Sequence, residues 1–260
     1  MPEERIAPVD VKRVTHGSVT HHEDVLVVEE PLEIRVGDKP ISVTMRTPGD
    51  DYDLAAGFLL TEGVIRSAGE IESIRHWGSP NVVRAALREG ASIDMSRLDR
   101  HFYTASSCGV CGKTSIDAVR VVSEPLPKSA PIDASLVYRL PEVLEQNQSA
   151  FRATGGLHGA AIFDATGNVM AVREDIGRHN AVDKVIGFFL RAGHPPPAVL
   201  MVSSRAGFEV VQKAIVARIP VLATVGAPST LAVDLSRQFG LTLLGFVRDG
   251  RFNIYSGEVT

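Results

Sequence analysis

The chain of 260 residues, with 44% hydrophobic and 22% charged side chains, is long enough to bury a substantial core and to divide into two domains. Its formal net charge of −4 gives no global pull toward nucleic acid or an anionic membrane, so any anionic ligand has to be held by a local basic patch. Residues 1–10 lack the basic-then-apolar pattern of a secretory signal and no apolar run reaches spanning length, so the expectation is a cytoplasmic protein with no nucleic-acid and no membrane partner.

Residues 1–24 read as a loose N-terminus. Val25 to Glu29, Leu32 to Val36 and Ile41 to Arg46 read as short strands, with Gly37-Asp38 as a turn and Ile41, Val43 and Met45 on one face. Arg46-Thr47-Pro48-Gly49-Asp50-Asp51 then leads into a helix near Asp53 to Glu62, whose buried stripe is Ala55, Phe58 and Leu59 and which Gly63 ends. Ile71 to His76 and Asn81 to Leu87 are two more strands, Trp77 reads as core, and a small α+β domain is expected over 25–105.

Residues 106–131 hold the cysteine loop, a helical stretch near Thr114 to Val122, and a linker marked by Pro125, Pro127 and Pro131. The remainder, 132–260, changes character. A helix pair comes first, with Pro141 opening the second helix and Leu136, Leu140, Val143, Leu144 and Phe151 turned inward. A hairpin over Leu157 to Phe163 and Val169 to Val172 is followed by a helix over Asn180 to Leu190. Strands at Val199 to Ser203, Val221 to Thr224 and Leu241 to Val247 alternate with helices near Phe208 to Ala217 and Thr230 to Phe239, and Phe252 to Tyr255 forms a last strand. The fold class is therefore α/β: a small N-terminal α+β domain, then a C-terminal three-layer α/β domain.

Chemistry concentrates at Ser106-Ser107-Cys108-Gly109-Val110-Cys111-Gly112-Lys113, which holds the only two cysteines. Thiols three positions apart can share a metal, close a small disulfide, or let one react while the other resolves it. The Ser/Gly context and the Lys113 cation suit a reactive sulfur better than a pair of packed core cysteines. In a reducing compartment such a pair is metal-binding or redox-active before it is a staple.

A second polar block, Arg173-Glu174-Asp175-Ile176-Gly177-Arg178-His179-Asn180, precedes a helix with an apolar face. Asn180 can cap that helix and Asp183 lies in its first turn, which leaves Arg178, His179 and Lys184 as a cationic group for a phosphate or an anionic cofactor. The loops Ser203-Ser204-Arg205-Ala206-Gly207 and Gly226-Ala227-Pro228-Ser229-Thr230 follow strand ends, where helix N-termini favour phosphate and Arg205 adds charge; ordinary turn and cap roles explain them equally well. His158, in Gly155-Gly156-Leu157-His158-Gly159, is either a ligand-site residue or a hydrogen-bonded structural one. Zinc nucleobase deaminases need His-x-Glu followed by Pro-Cys-x-x-Cys. Here Gly159-Ala160 follows His158, Ser107 precedes Cys108 and the motif order is reversed, so a deaminase-like scaffold remains possible but deamination does not.

Together, Arg46-Thr47-Pro48-Gly49-Asp50, Cys108-Gly109-Val110-Cys111-Gly112, Gly155-Gly156-Leu157-His158, Glu174 through Lys184 and Phe246-Val247-Arg248-Asp249-Gly250-Arg251 resemble the FdhD family of formate dehydrogenase accessory proteins, over about Val25 to Tyr255. The resemblance implies a sulfur carrier that takes persulfide sulfur from a cysteine desulfurase and passes it to the molybdenum cofactor before insertion into formate dehydrogenase. It implies Cys108 as the persulfide cysteine and Cys111 as its partner. It further implies Phe246, Val247, Arg248, Asp249, Gly250 and Arg251 as the segment for the bis(molybdopterin guanine dinucleotide), a site that a guanine nucleotide would share. A cytidine-deaminase-like C-terminal half and a homodimer are also implied, and no structural metal is expected. Arg205, Arg178, His179, Lys184 and His158 are added by chemistry alone, as groups able to meet pyrophosphate. Two other readings stay open: a CxxC thiol-disulfide oxidoreductase, and a zinc-linked binding protein completed by His158 or a partner chain.

Overall fold

The computed structural model describes residues 5–91, 123–128 and 130–260. The chain opens with a two-stranded antiparallel ribbon, β1 (Ile6–Thr15) and β2 (Ser18–Val27), so most of the stretch expected to be loose is paired strand. His16 and Gly17 turn it with φ of 47° and 86°, the two positive values of a type I′ hairpin, a signal that the His-Gly dipeptide does not advertise.

A four-stranded sheet follows, built from β3 (Glu30–Val36), β4 (Lys39–Arg46), β5 (Ile71–His76) and β6 (Val82–Leu87) in the order β4-β3-β6-β5. Leu32, Ile34, Val36, Val83 and Ala85 line its buried face. Ile41 joins them, while Val43 and Met45, expected on the same side, face outward. The β3–β4 register breaks between Ile34 and Arg35, which oppose Ser42 and Pro40; Ile41 is the extra residue of a bulge that reverses the alternation. Trp77 is 43% exposed instead of core, lying beneath the Arg84 guanidinium at 4.4 Å.

The C-terminal part carries a six-stranded sheet in the order β12-β11-β10-β9-β7-β8. Its strands are β7 (His158–Phe163), β8 (Val169–Asp175), β9 (Val199–Val202), β10 (Val221–Thr224), β11 (Thr242–Arg248) and β12 (Arg251–Ser256). β9, β10 and β11 are parallel, β7 runs against β8 and β9, and β12 runs against β11. Before it come α2 (Ala134–Gln146) and α3 (Ser149–Thr154). Between its strands run α4 (Arg178–Ala192), α5 (Phe208–Val216) and α6 (Thr230–Phe239). One apolar cluster joins α4, α5 and α6 to one face, and a second joins Leu136, Val137, Leu140 and Leu144 of α2 to the other, which makes three layers. Pro141 lies inside α2 and does not begin a helix; the helix continues past it because Leu140 and Leu144 are anchored in the core on either side. Phe151 points outward, 37% exposed.

The helix between β4 and β5, α1 (Asp51–Thr61), joins the two sheets. It is buried nearly all round, because one side faces the four-stranded sheet and the other crosses α4. The crossing is backbone to backbone: a Cβ at Gly57 would lie 1.9 Å from the Asp183 carbonyl oxygen, and one at Gly187 would lie 1.8 Å from that of Asp53. No helix among the described residues is long and apolar enough to cross a membrane.

Candidate functional site

Parallel strands deliver their C-terminal ends to one edge, where the loops after β9 and β10 meet each other and Phe246 near the end of β11. Gly226 N–H donates to the Ser204 carbonyl (3.2 Å), Ser229 N–H to that of Ala206 (3.0 Å), and Phe246 N–H to that of Gly226 (3.1 Å). The approach is close enough that a Cβ at Gly226 would stand 3.1 Å from Arg205 Cα. Phe246 has φ of 54°, a left-handed conformation that a bulky side chain adopts only when its surroundings enforce it. The β11–β12 register breaks between Gly245 and Arg248 around it.

Beyond Phe246 the chain turns at Asp249 and Gly250, with φ of 53° and 67°, so that Arg248 and Arg251 pair across a two-residue hairpin. Arg248, Asp249, Gly250 and Arg251 are exposed, and the Arg248 guanidinium stands 5.9 Å from the half-buried Phe246 ring. Val247 differs: its side chain is fully buried in the α2 cluster, so only its backbone can meet a ligand.

The same edge receives the start of β7, which runs against β9, and the start of α4 after β8. Half-buried His158 therefore comes near Arg178 and His179. Burial first, then the positive charges of Arg178 and His179, hold its imidazole below its usual pKa of 6.5, against the pull of Asp175. His179 Nε2 lies 2.9 Å from Glu209 Oε2, an ion-pair distance without hydrogen-bond alignment. Ser203 Oγ accepts from Gly159 N–H (2.9 Å), which ties β7 to the loop bearing exposed Arg205. The helices α4 and α5 begin at Gly177 and Gly207 without a side-chain cap, whereas Ser229 caps α6 through Ala232 N–H.

Lys184 does not belong to this edge. Its ammonium is wholly buried, 2.8 Å from Asp175 Oδ2 and 2.9 Å from the Thr47 carbonyl, and cannot reach an outside phosphate. Asp175 also accepts from Thr47 N–H (3.2 Å), Gly177 N–H (2.8 Å) and Asn180 Nδ2 (3.0 Å). Asn180 is thus a cross-brace rather than a cap, with its second amide contact on the Met45 carbonyl (2.8 Å). Asp183, expected in the first turn of its helix, meets Lys213 at 2.8 Å inside the core, with Thr61 Oγ1 donating to it (2.8 Å). Burial alone would depress the Lys213 ammonium, but Asp183 and Glu62 overcome it and hold it well above the ordinary lysine range. Arg46 closes the frame, forked onto Asp51 at 2.9 and 2.8 Å. Sequence reasoning missed this role; the signal was Asp183-Lys184 standing between Val182 and Val185 in an apolar helix.

Cys108 and Cys111 lie outside the described residues. The model of the FdhD/NarQ family matches residues 27–260. The chain belongs to this family. It is 48% identical to the sulfur carrier protein FdhD of Streptomyces avermitilis, over 95% of this chain and 93% of that one. It is 49% identical to that of Mycolicibacterium paratuberculosis, over 94% and 96%. A crystal structure assigned to a formate dehydrogenase accessory protein from Desulfotalea psychrophila superposes with a TM-score of 0.79 over 98% of both chains at 22% identity, a likeness of fold. The motifs quoted above for the FdhD family fall within the matched span.

Proposed function

We propose that this protein is a sulfur carrier, as the names of its relatives say of them, that it serves a formate dehydrogenase, and that Cys108 is the carrying residue. The Cys108 thiolate attacks the terminal sulfur of a cysteine desulfurase persulfide, forms Cys108–S–SH and releases the donor's thiolate; Cys111 is the partner thiol. The Cys111 thiolate then attacks Cys108 Sγ, breaking the persulfide S–S bond and closing a Cys108–Cys111 disulfide. The outer sulfur thus leaves at the sulfide level for the molybdenum cofactor, the substrate held at the carboxyl edge of the six-stranded sheet; a thiol reductant reopens the disulfide.

The observation that carries this reading is the Phe246 to Arg251 segment. Its enforced left-handed backbone and exposed arginine pair lie on the same carboxyl edge of the six-stranded sheet as the uncapped N-termini of α4 and α5, features suited to the pyrophosphates of a guanine dinucleotide. Arg205, Arg178 and His179 add positive or protonatable groups at that edge, and His158, whose pKa burial and the charges of Arg178 and His179 hold below its usual value, adds an imidazole. Ser123 lies with Phe208, Gln212 and Val216 of α5 around one small cavity, and the 15 residues from Cys108 to Ser123 span at most roughly 50 Å, well beyond the roughly 14 Å length of α5.

The test is intact mass after incubation with a cysteine desulfurase and cysteine. A gain of one sulfur atom that reductant removes and that Cys108→Ala abolishes is expected, together with GDP binding that Arg248→Ala/Arg251→Ala weakens. No gain in the native chain would sink the reading.

A further inference from the structure

The four-stranded sheet has a second face, away from α1, that is open to solvent among the described residues. Register places Arg35 of β3 opposite Arg84 of β6, and Arg84 opposite Arg75 of β5. Three arginines thus stand in one row across three adjacent strands, an arrangement that costs stability, because like charges on neighbouring strands repel. Two receive partial answers: Glu33 lies 2.9 Å from Arg35, and the 90% exposed Asp38 lies 3.2 Å from Arg84. Next to the row sits Trp77, with Arg84 at 4.4 Å and Arg75 at 5.6 Å from its ring, and on the same face the β4 bulge turns Val43 and Met45 outward, 47% and 45% exposed. Arginine and aromatic side chains beside exposed aliphatic ones are the composition of an interface centre, here on a chain whose net charge is −4.

We propose that this face is a docking surface for a protein partner whose contacting segment is acidic and carries apolar side chains. Carboxylates of the partner would take the guanidinium forks of Arg35, Arg75 and Arg84, and its apolar side chains would cover Trp77, Val43 and Met45. The charge row favours an acidic occupant over a second copy of the same face, which would set arginine against arginine. The proposal rests on the sulfur-carrier reading only for its two probes, the cysteine desulfurase and the formate dehydrogenase of the same organism.

Binding of the full chain to each purified probe is measured by calorimetry at low and high salt, for the native protein, Arg75→Glu/Arg84→Glu, Trp77→Ala and Cys108→Ala. For one of the two probes the charge reversal is expected to weaken binding by roughly tenfold or more and to flatten its salt dependence. Trp77→Ala is expected to weaken it at both salt concentrations, with melting temperatures unchanged and Cys108→Ala binding as the native chain does. Equal affinity of the charge-reversed and native chains for both probes overturns the proposal, as does failure of the native chain to bind either. So does charge-dependent binding to duplex DNA or phosphatidylglycerol vesicles that the reversal removes while leaving the probes unaffected. Because Cys108 is not involved, a failed sulfur-loading experiment leaves this outcome independent.

Discussion

Phe246 holds a backbone conformation that ordinarily costs an aromatic residue roughly 1–3 kcal/mol, and it does so where the arginine hairpin begins. The usual order of glycine and alanine should therefore invert. Elsewhere in a strand alanine is the better replacement by roughly 0.5–1 kcal/mol, but at φ of 54° only glycine relieves the strain. Phe246→Gly is expected to unfold at higher denaturant than Phe246→Ala, by about 1 kcal/mol in chemical denaturation, while both lose GDP affinity. A Phe246→Ala protein more stable than Phe246→Gly would show that the conformation is not enforced.

His158 makes a pH statement at the same scale. Its folded pKa lies below 6.5, the value of the unfolded chain, so the unfolded state binds the extra proton in the interval between the two. Its contribution to stability is thus complete above pH 6.5 and is lost as pH falls through the folded value. His158→Asn should flatten the fall in thermal midpoint below pH 6.5; an unchanged slope would assign that fall to other groups.

Among elements, the α1–α4 crossing explains a burial that no periodicity predicts. Gly57 and Gly187 let two backbones touch, and the touching backbones bring Asp183 of α4 to Thr61 of α1. Gly187→Ala places a methyl 1.8 Å from a carbonyl oxygen that cannot rotate away, so a loss of about 3 kcal/mol or more is expected in urea denaturation. A loss below about 1 kcal/mol would mean that the helices slide apart freely. The element ranges themselves were largely legible: β5, β10 and α6 occupy the residues that alternation and helical spacing indicate. What escaped was tertiary in origin. The bulge at Ile41 reverses a face, Pro141 survives inside a helix anchored on both sides, and Lys184 finds its partner on another element. The site divides the same way. Arg248 and Arg251 lie exposed around a turn that Asp249-Gly250 announces, whereas Val247 is taken by the core.

At the scale of the molecule, the buried charges act as fasteners between the two sheets. Asp175 ends β8 yet accepts from Thr47, and Lys184 of α4 donates to the Thr47 carbonyl just beyond β4. Removing one member of such a pair leaves an uncompensated buried charge, which commonly costs about 3–5 kcal/mol, so the pairs lock relative position even where each adds little net stability. One apolar cluster also runs from Leu32 and Ile34 through α1 and α4 to Leu200 and Leu222. A chain so joined should unfold as one unit despite having two sheets. Trp77, the single tryptophan, reports on the four-stranded sheet, while most of the described helices belong to the C-terminal part and dominate far-ultraviolet circular dichroism. In urea the two signals are expected to change with one midpoint and one slope. A fluorescence transition at distinctly lower urea would mean that the four-stranded sheet opens by itself, and the shared core would then be too weak to couple the arginine face to the carboxyl-edge site.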